Sequence, residues 1–307
     1  MKSFLERIRI FLSSRSLKPI EVFVLAVLLL WGFITDIASV KFFPDESFWV
    51  VSSVRFDKFI SGEFDSPVWT DEPIIIFEVR PMPSYFSGIS QRPGGISADS
   101  LPIYWDWGLP DDENISLGAM PSDEMLWWSR LPMAVLSAFS LLLTAIFLAK
   151  SHSRFAAYLF TLVSLNGYFL LNLRRAMSEA SILFFTVLTM YASYKLIAAA
   201  RNKDTKKSIQ WAAVVGVFSG LAGQSKLTGL VCAGIAILGT VLVIIPRPAQ
   251  WFTVLKQRLL LIIVFVVILT TLMTFIVSYP FYYTDTVDRI WETFYARGQI
   301  VDYQLAT

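Results

Sequence analysis

Residues 20–49 read IEVFVLAVLLLWGFITDIASVKFFPDESFW. From Ile20 to Val40 the run is almost wholly apolar and matches the ~20 residues a helix needs to cross a bilayer. Where that run ends, the chain continues as Phe42-Phe43-Pro44-Asp45-Glu46-Ser47-Phe48-Trp49. Two adjacent carboxylates, fixed by a proline among aromatic rings at a membrane surface, are badly placed to serve solubility alone. They read in one of two ways. Either they are solvated acids at a helix end, or Asp45 or Glu46 is the catalytic carboxylate of an enzyme acting on a lipid-borne substrate.

The whole composition supports the membrane reading. Hydrophobic residues make up 55% of the 307 positions and charged ones only 16%, where a soluble domain carries roughly 25% charged residues. With several further apolar runs of spanning length, this is an all-α polytopic membrane helix bundle with the lipid bilayer as its first partner. The net charge of +2 conceals a partition: Lys41 to Glu124 holds 15 acids and 5 bases, so that segment carries −10 and the remainder +12. Such asymmetry reports on orientation in the bilayer and gives no ground for nucleic-acid binding. The single cysteine, Cys232, and the single histidine, His152, exclude an intramolecular disulfide, a thiolate metal site and a multi-histidine site.

Read in order, residues 1–19 are basic (Lys2, Arg7, Arg9, Arg15, Lys18) and are expected in the cytoplasm. A first span covers 20–40, and a non-cytoplasmic segment covers 41–124. A region of six spans covers 125–279, followed by a non-cytoplasmic tail over 280–307. Basic turns around Lys150 to Arg154, Arg201 to Lys207 and Arg247 to Arg258 agree with that alternation. The expected total is seven spanning helices, N-terminus inside and C-terminus outside, in a plasma membrane. The fifth span, about Ile209 to Gly223, is short at ~22 Å. It therefore leaves Lys226 somewhat below the outer surface.

Within 41–124, Ser47 to Ile60 places Phe48, Val51, Val54, Arg55, Phe59 and Ile60 at roughly helical spacing, which predicts an amphipathic interface helix, lying on lipid or packed in the loop. Ile74 to Val79 suits a short strand. Trp105 and Trp107 flank Asp106, a pattern that serves either interface anchoring or sugar and acceptor binding, since indoles stack on pyranose faces and carboxylates bind hydroxyls. Asn114-Ile115-Ser116 matches a glycosylation sequon.

Cations on the outer side run against the orientation rule. Arg174-Arg175 lie between spans three and four with Glu179 close behind, and Lys226 lies between spans five and six. A lipid phosphate or pyrophosphate is the natural counterpart, bound by arginine through paired donors and by lysine as a point charge. The bland alternatives are an (i, i+4) pair Arg175–Glu179 and a snorkelling Lys226. A nearby carboxylate would complete the chemistry. It would take the proton of a hydroxyl that attacks an anomeric carbon, opposite a phosphate leaving group.

Several segments together carry a resemblance. They are the Asp45-Glu46 pair opening a large outer loop, Arg130-Leu131-Pro132, Arg175-Ala176-Met177-Ser178-Glu179-Ala180, and Gly220-Leu221-Ala222-Gly223-Gln224-Ser225-Lys226-Leu227-Thr228-Gly229-Leu230. In this order the chain resembles the glycosyltransferase C superfamily, in the branch of protein mannosyltransferases and aminoarabinose transferases. The resemblance implies inverting transfer of a sugar from a polyprenyl-phosphate donor on the non-cytoplasmic face. It implies Asp45 as base, Arg175 and Lys226 on the donor phosphate, and Glu46, Glu179 and Arg174 in supporting positions. The lipid-linked sugar is then a substrate, no cofactor is fixed by the sequence, and a divalent metal is left open. Relatives commonly have eleven or more spans and a His-Pro-Pro segment in the first outer loop, where this chain has Asp71-Glu72-Pro73. The shorter scaffold also suits a non-catalytic subunit held beside another membrane subunit.

Overall fold

The computed structural model describes residues 14–70, 80–244 and 258–306. The strand expected at Ile74 to Val79, Asp71-Glu72-Pro73, the basic residues Lys2, Arg7 and Arg9, and the turn residues Arg247 and Lys256 lie outside the described residues. Every regular element among the described residues is helical. We number the helices α1 Pro19–Ile34, α2 Asp45–Val51, α3 Val54–Ser61, α4 Pro81–Gln91, α5 Asp111–Ser116, α6 Asp123–Ser151 and α7 Arg154–Ser164. The remainder are α8 Gly167–Arg174, α9 Ser178–Arg201, α10 Thr205–Ser225, α11 Val231–Ile244, α12 Arg258–Val277 and α13 Thr286–Ala306.

Among the described residues five helices are long and apolar enough to cross a membrane, or six if the α7–α8 pair, bent by 69°, counts as one span. The expected count of seven is not confirmed, and two sequence features bear on the difference. The third expected span is interrupted at Leu165-Asn166, where the Asn166 side chain accepts the Tyr168 and Phe169 amides and caps a new helix. The fifth, α10, is longer than expected: its 21 residues cover about 31 Å. Asp204 caps it through the Lys207 amide, but its opening Thr205-Lys206-Lys207-Ser208 and its small residues keep it below the apolarity of a lipid-facing span.

The interface helix expected over Ser47 to Ile60 is instead two short helices, α2 and α3, broken at Ser52-Ser53. Buried positions on α2 include Glu46 and Ser47 as well as Phe48 and Val50, so this helix is packed into protein.

The chain divides into two compact units, Met1–Val51 with Ile89–Phe184, and Ser52–Gly88 with Phe185–Thr307. In the first unit, Leu25, Leu29, Phe33 and Ile37 recur every fourth residue and pack on Ala134, Ala138 and Leu141 of α6 and on Leu173. Small residues on α6 let α1 approach, while Phe23 and Trp31 on the outer face of α1 stay exposed, as lipid-facing side chains do. At the start of α1, Glu21 accepts the Tyr158 hydroxyl at 2.6 Å and pairs with Arg154 at 3.6 Å, tying α7 to α1.

The second unit is organised by α10 against α12. Gly216 and Gly220 face Val267, Thr270, Thr271 and Thr274 so closely that an added Cβ would lie 2.7 Å from the Val267 carbonyl or 2.8 Å from that of Thr271. This small-xxx-small seam brings two backbones together and gains dispersion contact that larger side chains would forbid. Leu196, Val215, Ile263 and Val267 fill the apolar cluster beside it.

Candidate functional site

The centre of the first unit is a buried ion pair. Glu46 and Arg130, both fully buried, meet through two parallel hydrogen bonds, Nε to Oε1 at 2.8 Å and Nη2 to Oε2 at 2.7 Å. Each partner's remaining capacity is also taken up. Glu46 accepts the Ala176 amide at 2.9 Å and the Phe43 amide at 3.1 Å. Arg130 donates through Nη1 to the Val40 carbonyl at 2.8 Å and the Ile37 carbonyl at 3.2 Å. A bidentate pair whose other hydrogen-bonding sites are satisfied is the geometry in which a desolvated ion pair survives. It fastens together the segment after α1, the start of α2, the first part of α6 and the link before α9.

This clamp decides what the two acids of the opening stretch do. Glu46 is turned inward and wholly engaged, whereas Asp45, one residue earlier at the start of α2, remains partly exposed. Arg175 is extended backbone at the end of α8 (φ −62°, ψ 148°), next to the clamped Ala176. Its guanidinium lies 4.6 Å from the centre of the Phe43 ring, two residues before Asp45. Arg175 lies outside any helix, so the helical (i, i+4) geometry expected for it with Glu179 is not available there. Among the described residues its Nε–H is buried without an acceptor, as is the indole N–H of Trp49, one turn after Asp45 on α2. Glu179 is half-buried in the first turn of α9, with the Ser178 hydroxyl 3.4 Å away. Arg174 points elsewhere: its Nη2 donates to the Gly32 carbonyl and holds α8 against α1.

The aromatic–acid patch is split. Trp105 is buried, tilted against Phe42 at 5.6 Å, and its amide donates to the Ser47 hydroxyl at 3.3 Å, so it belongs to the walls around α2. Trp107 is 56% exposed. Asp106 is exposed and accepts the Gly108 amide at 2.8 Å. Asn114 of the sequon is buried, its carbonyl taking the Asp106 amide and its NH2 donating to the Asp106 carbonyl, each at 2.8 Å. That side chain is a loop staple, not an exposed acceptor for glycosylation.

The second unit holds Lys226 and two arginines that the sequence reading left without a role. Lys226 is exposed, in extended backbone just after α10. Arg80, 3% exposed, donates to the Tyr282 hydroxyl at 2.8 Å and lies 5.8 Å over the Phe275 ring, and among the described residues no carboxylate pairs with it. Arg55 is fully buried and sits 5.6 Å over Tyr279. Beside them Tyr85 donates to the Ser278 carbonyl at 3.1 Å, and burial pushes its hydroxyl well above the usual phenol range. A buried arginine needs polar or π partners to offset its lost hydration, and Arg80 meets the Tyr282 hydroxyl and the Phe275 ring. The available signal was Arg80 beside the aromatic Phe281-Tyr282-Tyr283 run, but their sequence separation hid it. Arg130 had a clearer signal, a charge inside an apolar span, which requires a partner.

Among the described residues no three His, Cys, Asp or Glu side chains gather as a metal site. The family model described as dolichyl-phosphate-mannose-protein mannosyltransferase matches residues 113–289, more than half of the chain. No curated protein and no solved structure matches it.

Proposed function

The chain belongs to the dolichyl-phosphate-mannose-protein mannosyltransferase family, and from that premise we propose that it moves mannose from a polyprenyl-phosphate donor to a hydroxyl of a protein acceptor. Membership supports an integral membrane mannosyltransferase that uses a polyprenyl-phosphate sugar. The acceptor, the inverting course and the residues are our reading. Asp45 takes the proton as the acceptor oxygen bonds to the anomeric carbon, and the bond from that carbon to the phosphate oxygen breaks on the opposite face. The lipid phosphate departs with the electron pair. Arg175 binds that phosphate with the Nε–H that has no acceptor among the described residues. Glu46 positions Asp45 and Arg175 without touching substrate. Glu179 and Arg174 support the link, Trp105 walls the site, and Lys226 is a further phosphate cation on the strength of the resemblance alone. The reaction side is the non-cytoplasmic face, with the N-terminus in the cytoplasm.

The observation that carries this reading is the clamp, which joins residues 84 and 130 positions apart and so brings the Asp45 turn and the Arg175 link to one place. Asp45→Asn should lower transfer from polyprenyl-phosphate mannose by about 10²–10⁴-fold, with the thermal unfolding midpoint unchanged. Transfer at the wild-type rate would remove Asp45 as base.

A further inference from the structure

The loop from Pro93 to Ser122 in the first unit combines order with exposure of apolar side chains. Ile103, Trp107, Ile115, Leu117 and Met120 are all exposed. They are nonetheless held firmly. The Asn114 staple closes the loop, the Ala119 amide returns to the Asn114 carbonyl at 3.0 Å, and Trp105 docks on Phe42 and Ser47. Displaying large apolar groups on a preorganised support gives away hydration free energy that a partner can recover.

Charge selects the partner. From Pro93 to Ser129 the chain carries seven acids and no lysine or arginine. All seven, from Asp99 through Asp111, Asp112 and Glu113 to Glu124, are exposed around the apolar groups. An anionic headgroup layer repels such a rim. A second copy meeting it about a two-fold axis would set carboxylates against carboxylates. What remains complementary is a cationic, partly apolar polypeptide.

We infer that this loop is the docking surface for the acceptor, and that the acceptor is a polypeptide segment with lysine or arginine near apolar side chains and the reactive hydroxyl. The inference rests on the proposed transfer reaction and deepens it. Trp105 connects the docked segment to α2, with Ser47 two residues beyond Asp45, so a chain seated here enters beside the proposed base.

The test uses the full chain in zwitterionic nanodiscs and reads binding without donor, so it is independent of turnover. Two short serine-containing peptides are compared, one with lysine and leucine flanks and one with glutamate in place of lysine. The lysine peptide should bind at least tenfold more tightly, and added salt should weaken it. Trp107→Ala should remove most of that binding, as should the triple change Asp111→Asn, Asp112→Asn, Glu113→Gln, with unfolding midpoints unchanged. Equal binding of the two peptides, or binding untouched by these variants, overturns the inference. So does strong quenching by spin-labelled lipid of a fluorophore on Ile115→Cys in a Cys232→Ser background, which would assign the face to the bilayer. Peptide binding together with full transfer by Asp45→Asn would instead overturn the catalytic reading and leave the surface standing.

Discussion

The two units are held together by opposite means. The first turns on a charge taken out of solvent: Glu46 and Arg130 are fully buried and bind three separate stretches of chain. The second turns on the absence of side chain, with Gly216 and Gly220 letting α10 lie against α12. In the bilayer, apolar burial does not separate helix–helix contact from helix–lipid contact, so specificity falls to polar bonds or to close packing. A polar clamp fixes direction as well as distance, and it is the clamp that surrounds the proposed base. A glycine seam fixes distance only, which suits a scaffold.

The comparison can be broken from either side. The largest effect is expected at the clamp. Arg130→Met leaves Glu46 buried without its cation and should cost about 3–5 kcal/mol, read as a lowered unfolding midpoint in detergent. Replacing both partners, Glu46→Met with Arg130→Met, should recover only part of the loss. The Phe43 and Ala176 amides would then lack an acceptor, at about 1–3 kcal/mol for each such group. Full recovery would mean that the pair is an isolated ion pair and not a hub.

At the seam, Gly216→Ala should cost about 1–3 kcal/mol through overpacking. Adding Thr270→Ala should return part of this, since the Val267 carbonyl still faces the new Cβ. An unaffected midpoint for Gly216→Ala would show that the seam opens freely.

The smallest effect contrasts a surface pair with the buried one. Lys58 and Glu63 meet at 2.6 Å in the open. The hydrogen bonds from Lys58 and then Ser61 hold the Glu63 carboxyl below its ordinary value. A depressed folded-state value means that this contribution is complete above the ordinary carboxylate pKa and is lost as pH falls through the lower one. Lys58→Ala should therefore shift the midpoint slightly at neutral pH and not at all in strong acid. A shift as large as that of Arg130→Met would contradict the weakness of exposed pairs.

Legibility differed between these features for a physical reason. The apolar runs were readable because a bilayer demands a fixed length of helix. Arg174-Arg175 stood out because two cations at a turn expected on the outer side run against the orientation rule. Reading failed where one residue overrides a run: Asn166 starts a new helix inside an expected span, and Ser52-Ser53 breaks the expected interface helix. It failed again for Arg80, whose aromatic and hydroxyl partners lie about two hundred positions away.

From composition and order alone came a helical membrane protein, an acidic segment after the first span, and the candidates Asp45, Glu46, Arg175 and Lys226, since transfer free energies act on each residue wherever it later packs. Which of two neighbouring acids is buried, and which arginine takes it, was decided only by folding. A buried charge needs its partner within hydrogen-bond reach, and the residues that meet this need around Glu46 come from the segment just before α2, from α6 and from the link before α9.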